Sequence, residues 1–121
     1  MQEDGPFEIA QLPGDACMVA ARGELDGSTA WRLQDALGAA TATGSRRLIA
    51  DFAAVTYLDA DAVAVLSGCA AHIFQKGATL VVVTDDPWLL RLLDAGHLEG
   101  VEFEPTLRDV VRQLPLPTAV V

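Results

Sequence analysis

A chain of 121 residues that is 51% hydrophobic is large enough for one domain with its own core, and it is too apolar to be disordered. Its net charge of −9, from 17 acidic and 8 basic residues, disfavours binding to nucleic acid or to an anionic membrane surface. No apolar run is long enough to cross a bilayer, and the acidic start Met1–Asp4 lacks the pattern of a signal peptide. We therefore expect a cytoplasmic protein that does not insert into a membrane.

Strand and helix signals alternate along the chain. Apolar runs bounded by turn residues predict strands, and apolar positions at helical spacing predict helices. In chain order the predicted elements are a strand Phe7–Gln11, a strand Ala16–Arg22, a helix from Ser28 to about Thr41, a strand Arg47–Phe52, a helix Ala60–Lys76, a strand Thr79–Thr84, a helix Trp88–Ala95, a strand Val101–Phe103 and a helix Leu107–Leu114.

Residues with turn and capping chemistry set several of these boundaries. The segment Gly23–Gly27 is expected to break the second strand, and Asp26 or Ser28 to cap the helix that follows. Asp59 is expected to cap the second helix, and Gly77 supplies a left-handed residue at its end.

The order β-β-α-β-α-β-α-β-α predicts an α/β (α+β-like) fold with a mixed sheet of about four or five strands. Right-handed crossovers would place the helices mainly on one face of that sheet. We expect a single domain over residues 1–121, with its core at about 7–114 and a flexible tail at 115–121.

Five short segments follow one another in a characteristic order. They are Gly23–Asp26 after a strand, the apolar segment Leu48–Phe52, Val55–Asp59 ahead of a helix, Gly77–Leu80 and Gly96–Leu98. Together they resemble the STAS domain of the anti-sigma factor antagonists over about residues 7–114. The resemblance implies a small sheet with helices packed against it. It also implies a protein-binding role, because such antagonists bind an anti-sigma factor that is also a serine kinase.

The resemblance also implies a regulatory site. In the family, the second serine of an Asp-Ser-Ser-Gly motif is phosphorylated by the kinase, and the phosphate breaks the complex. The matching residues here are Asp59, Ala60, Asp61 and Ala62, so Asp61 stands where the phosphorylated serine would be and no hydroxyl remains. These four residues are the predicted partner-binding motif. The predicted flanking surface consists of Asp26, Leu58 and Val65.

The sequence leaves two explanations of Asp61 open. At a helix start, Asp59 can cap the free N–H groups and Asp61 can interact with the helix dipole, so both acids could serve the helix alone. Alternatively, Asp61 supplies a fixed charge of −1 that partly imitates the charge of about −1.5 to −2 on a phosphoserine. The domain would then be locked in an off-like state, or it would bind a partner that tolerates or needs the charge.

The second predicted helix is apolar nearly all round, so one face can enter the core while the other docks a partner. The predicted core face comprises Val63, Leu66, Ala70, Ile73 and Phe74. The predicted docking face is made of small residues, namely Ala60, Ala64, Ser67, Gly68 and Ala71. Elsewhere, Trp31 and Trp88 are predicted to be partly buried packing residues, and Cys17 and Cys69 to be buried, inert thiols.

An enzymatic reading is disfavoured. Asp26, Asp51, Asp59 and Asp61 could together bind Mg²⁺, but the hydroxyl and nearby lysine of a metal-dependent phosphotransferase are missing. No catalytic residue, metal or cofactor is predicted. The expected partner is an anti-sigma factor/serine kinase of the same organism, and a homodimer stays open. The alternatives are a STAS subunit that clamps the ATPase of a phospholipid-transport ABC complex, and a scaffold domain of a stress-sensing assembly.

Overall fold

Five strands form one mixed sheet and four helices pack against it in a computed structural model that describes residues 7–114. The elements are β1 Phe7–Leu12, β2 Ala16–Leu25, α1 Ala30–Ala42, β3 Arg47–Leu58, α2 Ala60–Gln75, β4 Thr79–Val83, α3 Pro87–Ala95, β5 Val101–Glu104 and α4 Leu107–Gln113. The predicted fold class and the predicted order of strands and helices are confirmed. The tail predicted at 115–121 lies outside the described residues.

The strands lie side by side in the order β1-β2-β3-β4-β5. β1 is antiparallel to β2, whereas β2, β3, β4 and β5 are mutually parallel. Each parallel connection therefore needs a crossover helix, and the right-handed rule places α1, α2 and α3 on the same face. Among residues 7–114, α4 follows the last described strand, β5, so the crossover rule does not fix its side, and it packs on the opposite face.

The central strands β3 and β4 are apolar on both faces because helices cover both. Leu48 and Ala50 of β3 join the larger core beneath α1, α2 and α3, while Ile49 points into the smaller core beneath α4. Alternate residues of β4 divide between the two cores in the same way. No helix among residues 7–114 is both long and apolar enough to span a bilayer.

Two strands run further than the sequence indicates. β2 continues through Gly23 to Leu25 and β3 continues to Leu58, so the expected break at Gly23–Gly27 is wrong at its start. The two extensions pair with each other, and the register shifts on both sides of Gly23, which has a φ of +79°. Glycine tolerates this irregularity, so the strand bends at that point and is not interrupted.

Two helix predictions also need correction. The residue before α1 is Thr29, whose side chain makes no capping hydrogen bond, and Asp26 and Ser28 form a separate turn ahead of the helix. In α2 the buried residues are Ala62, Leu66, Ala70 and Ile73, and the predicted core residue Phe74 is 65% exposed. At about 100° per residue, Phe74 is rotated off the stripe that contains Ile73 and so points away from the sheet.

The buried stripe of α2 gives a test of the packing. Leu66→Ala should lower the free energy of unfolding by about 2–5 kcal/mol, because Leu66 is fully buried and its truncation leaves a cavity. Val111→Ala, at a position that is 49% exposed, is the control and should change it by less than about 0.5 kcal/mol. Urea unfolding measures both, and equal losses would contradict the described packing.

Candidate functional site

The carboxyl ends of the four parallel strands meet at one edge of the sheet, where ligand and partner sites commonly lie in such folds. β2 ends at Leu25 and β3 at Leu58, and Asp26 and Asp59 follow these ends directly. Asp61 lies in the first turn of α2. The structure therefore brings Asp26, Asp59 and Asp61 to one edge, which is named the carboxyl edge below.

Asp59 connects two elements through one carboxylate. Its Oδ1 accepts a hydrogen bond of 2.9 Å from the N–H of Ala62, which caps α2 and confirms the predicted cap. Its Oδ2 accepts a bond of 3.1 Å from the N–H of Gly27 in the connection between β2 and α1. The N–H of Asp59 donates in turn to the carbonyl of Leu25 at 3.1 Å. The entrance to α2 is thereby fixed against the end of β2.

Asp61 is exposed and lies against the neighbouring connection. A Cβ added to Gly27 would come within 2.7 Å of Asp61 Oδ2, so the absence of a side chain on Gly27 lets the carboxylate lie over the backbone. Within residues 7–114, no hydrogen bond or ion pair to the Asp61 carboxylate is found. Its charge therefore faces solvent.

Not all of the predicted site residues reach the surface. Ala62 is fully buried and Leu58 is only 1% exposed, so their side chains lie beneath the carboxyl edge and the prediction of a surface role for them is wrong. Leu58 points into the larger core at the end of β3, and Ala62 lies on the buried stripe of α2. Ala60 is exposed, while Val65 is half-buried.

Asp26 is held by its own turn. Its Oδ1 accepts hydrogen bonds from the Ser28 hydroxyl at 2.6 Å and from the Ser28 N–H at 2.9 Å. These bonds, the hydroxyl first, lower the pKa of Asp26 below its ordinary value. The carboxyl edge thus carries an ionised group at Asp26, beside the carboxylates of Asp59 and Asp61.

A magnesium site from the four predicted aspartates is not assembled. Asp51 lies within β3, where its carboxylate accepts a bond of 3.1 Å from the N–H of Ala53. In the described part of the chain, no three aspartate, glutamate, histidine or cysteine side chains are grouped as metal ligands.

An aromatic pair at the carboxyl edge was missed by the sequence reading. Tyr57, near the end of β3, and Trp88, in the first turn of α3, stack with ring centroids 5.9 Å apart and an interplanar angle of 28°. They remain 43% and 44% exposed. The sequence signal was Asp86-Pro87, which starts α3 at this edge and so brings Trp88 there. Trp31 and Trp88, predicted as partly buried packing residues, are 55% and 44% exposed.

A separate groove of about 800 Å³ runs between α1 and α2. Ala64 and Gly68 of the predicted docking face line it, together with Gly38 and Cys69, whereas Asp61 does not. Burial raises the pKa of the half-buried Cys69 thiol, which favours its protonated form. Docking on this face stays a prediction, and the groove is distinct from the carboxyl edge.

Replacing Asp59 should destabilise the protein more than replacing Asp61. Asp59→Ala removes a helix cap and the bond to Gly27, so the free energy of unfolding should fall by about 1–2 kcal/mol. Asp61→Ala removes a solvent-facing charge and should change it by less than about 0.5 kcal/mol. Denaturant unfolding of both variants tests this, and a larger loss for Asp61→Ala would show that its role is structural.

The turn at Asp26 predicts a specific titration. Ser28→Ala removes the 2.6 Å hydroxyl bond and should raise the pKa of Asp26 toward its ordinary value, as measured by carboxyl NMR. Because the folded pKa is depressed, this turn stabilises the fold above the unfolded carboxyl pKa, and the effect is lost as pH falls through the folded pKa. An unchanged pKa in Ser28→Ala would refute the assigned bond.

The sequence matches the family model described as "Mlab, STAS domain" over residues 10–109. An anti-sigma factor antagonist from Mycobacterium paratuberculosis has a similar structure, with 25% identity and a TM-score of 0.77 over 89% of this chain and 92% of that one. No curated protein gives a significant sequence match.

Two further solved structures share the fold. Phosphorylated SpoIIAA from Bacillus is 14% identical, with a TM-score of 0.70 over 90% of this chain and 99% of that one. A serine-to-glutamate variant of RsbS from Moorella thermoacetica is 21% identical, with a TM-score of 0.74 over 89% of this chain and 93% of that one.

Proposed function

The chain belongs to the STAS domain family, and from that membership we propose that it is a binding module of the anti-sigma factor antagonist type, not an enzyme. It acts, in this proposal, as a single cytoplasmic domain in the partner-switching control of a sigma factor. Its partner is an anti-sigma factor of the same organism. The antagonist from Mycobacterium paratuberculosis supports this class of function, because the two chains match over most of their lengths.

The exposed carboxylate of Asp61 at the entrance to α2 carries the proposal. The resemblance to the antagonists puts a phosphorylated serine at this position, and here the side chain reaches solvent over Gly27. An aspartate has one charge and two oxygens, against a charge of about −1.5 to −2 and three oxygens for phosphoserine. Asp61 therefore imitates the phosphorylated state in part and cannot be switched by phosphate at this position.

The residues around Asp61 favour one of the two hypotheses, in which a partner uses the charge of Asp61, and disfavour a domain locked in an off-like state. Asp26 and Asp59 already make the carboxyl edge negative, and the bonds from Ser28 keep Asp26 ionised. A third carboxylate at Asp61 strengthens attraction to a cationic partner surface, because like charges on one side of an interface select an opposite charge on the other. We infer that partner binding at this edge cannot be switched by phosphorylation at residue 61.

Asp61→Asn and Asp61→Ser should both weaken binding to the anti-sigma factor by about tenfold, or about 1.4 kcal/mol. Asparagine keeps the shape of the side chain and removes its charge, while serine restores the hydroxyl of the family motif. Isothermal titration with candidate anti-sigma factors from the same genome measures the affinity. Asp35→Asn, which removes an exposed acid beside the α1–α2 groove, is the matched control and should change it by less than about twofold.

The same experiment separates the two explanations of Asp61. Tighter binding by Asp61→Ser, with phosphate transfer to the new serine from a kinase partner, would show that the wild type is locked off. Unchanged binding in both variants would show that Asp61 serves only the start of α2 and does not contact the partner.

A second candidate function is favoured by the matched family model, whose description names Mlab and does not name an antagonist. The chain would then be a STAS subunit that clamps the ATPase of a phospholipid-transport ABC complex. Genes for an ATPase and a permease beside this one, and co-purification with that ATPase, would support the second candidate. Genes for a kinase and a sigma factor would support the first.

A further inference from the structure

The Tyr57–Trp88 pair is an exposed aromatic feature at the carboxyl edge. Tyr57 lies two residues before Asp59, and Trp88 lies two residues after Asp86, so the stacked rings bridge the connections that follow β3 and β4. The two side chains are 43% and 44% exposed. Large aromatic side chains of this kind contribute strongly when a partner covers them.

Carboxylates flank the pair on both sides. The connections after β2, β3 and β4 carry Asp26, Asp59, Asp85 and Asp86. Neither lysine nor arginine occurs in the four connections at this edge, which are residues 26–29, 59, 84–86 and 105–106. The connections beside the rings therefore carry only negative formal charge, and the ring faces are negative as well.

This combination selects one kind of cation. An arginine guanidinium is planar, so it can stack on an aromatic face and donate paired N–H bonds to a carboxylate at the same time. A lysine ammonium is a compact, strongly hydrated charge, so it has no flat face to stack on a ring and no paired N–H groups in one plane. The chain shows the same chemistry at the start of α1, where the cation–π contact found among residues 7–114 places Arg32 over Trp31 at 5.3 Å.

We propose that the Tyr57–Trp88 pair is a second contact point at the carboxyl edge and receives an arginine side chain of the partner protein. The inference rests on the proposed function for the location of the interface, and it adds the chemistry that the partner must present. Asp61 supplies charge at the entrance to α2, and the aromatic pair supplies apolar area and a preference for arginine over lysine.

A titration of the wild-type protein with short peptides tests the chemistry without any partner. Hexa-arginine should shift the indole N–H signal of Trp88 in NMR spectra at a concentration at least fivefold lower than hexalysine. Trp31 is the internal control, because its indole N–H already donates to the carbonyl of Ser28 at 3.1 Å and Arg32 covers its ring. Equal shifts with both peptides, equal shifts of both indoles, or no shift of Trp88 would overturn the proposal.

Variants then test the contact in the complex. Trp88→Leu keeps an apolar side chain for packing but loses the ring, and it should weaken binding to the anti-sigma factor at least tenfold and remove the preference for hexa-arginine. Tyr57→Ala should also weaken binding to the anti-sigma factor and reduce the preference for hexa-arginine. Phe74→Ala, at an aromatic residue that is 65% exposed near the other end of α2, is the control and should leave both unchanged within twofold.

The two proposals fail in different ways. If Asp61→Asn weakens the complex and Trp88→Leu does not, the proposed function stands and the arginine contact is refuted. If no anti-sigma factor binds the wild type, the proposed function fails, and the peptide titration alone decides whether Trp88 prefers arginine.

Discussion

One carboxylate organises the carboxyl edge. The two oxygens of Asp59 accept from N–H groups on different elements, Ala62 in α2 and Gly27 in the connection after β2. An aspartate is well suited to this position because the start of a helix leaves N–H groups without partners, and its short side chain can satisfy one while its second oxygen reaches the next connection. Everything else proposed for this edge depends on that bridge, since it fixes where Asp61 points and what lies beneath it.

Asp59 and Asp61 have different roles because their surroundings differ. Asp59 is half-buried and hydrogen-bonded on both oxygens, so its carboxylate is tied to the backbone of α2 and of the connection after β2. Asp61 is exposed with Gly27 beneath it, so its charge is presented outward. Such an arrangement keeps the cost of a permanent charge low, because a solvent-facing carboxylate pays little desolvation. The Tyr57–Trp88 pair adds apolar contact area for the proposed partner, and stacking holds the two rings in place.

Much of the fold could be predicted from sequence because local signals and global topology agree. Alternation of strands and helices, the cap at Asp59 and the left-handed Gly77, with a φ of +82°, each mark a boundary that the structure confirms. The extensions of β2 and β3 could not be predicted, because they are stabilised by pairing with each other and not by local composition.

The burial of individual side chains at the carboxyl edge could not be predicted from the sequence either, because it also depends on how the elements pack. Leu58 adjoins the half-buried Asp59 and Ala62 adjoins the exposed Asp61 in sequence, but strand alternation and helix rotation turn both side chains into the core. The stacking of Tyr57 on Trp88 joins two elements far apart in the chain, so no local pattern reports it.

The central claim is that a partner protein binds at the carboxyl edge and that Asp61 lies within the contact. The most direct measurement is an amide and indole NMR map of the labelled chain, with and without the anti-sigma factor that binds it. The account predicts that the largest changes fall on Asp61, Gly27 and the Tyr57–Trp88 pair. Changes concentrated along Gly38 and Gly68 in the α1–α2 groove, with the carboxyl edge unaffected, would contradict it.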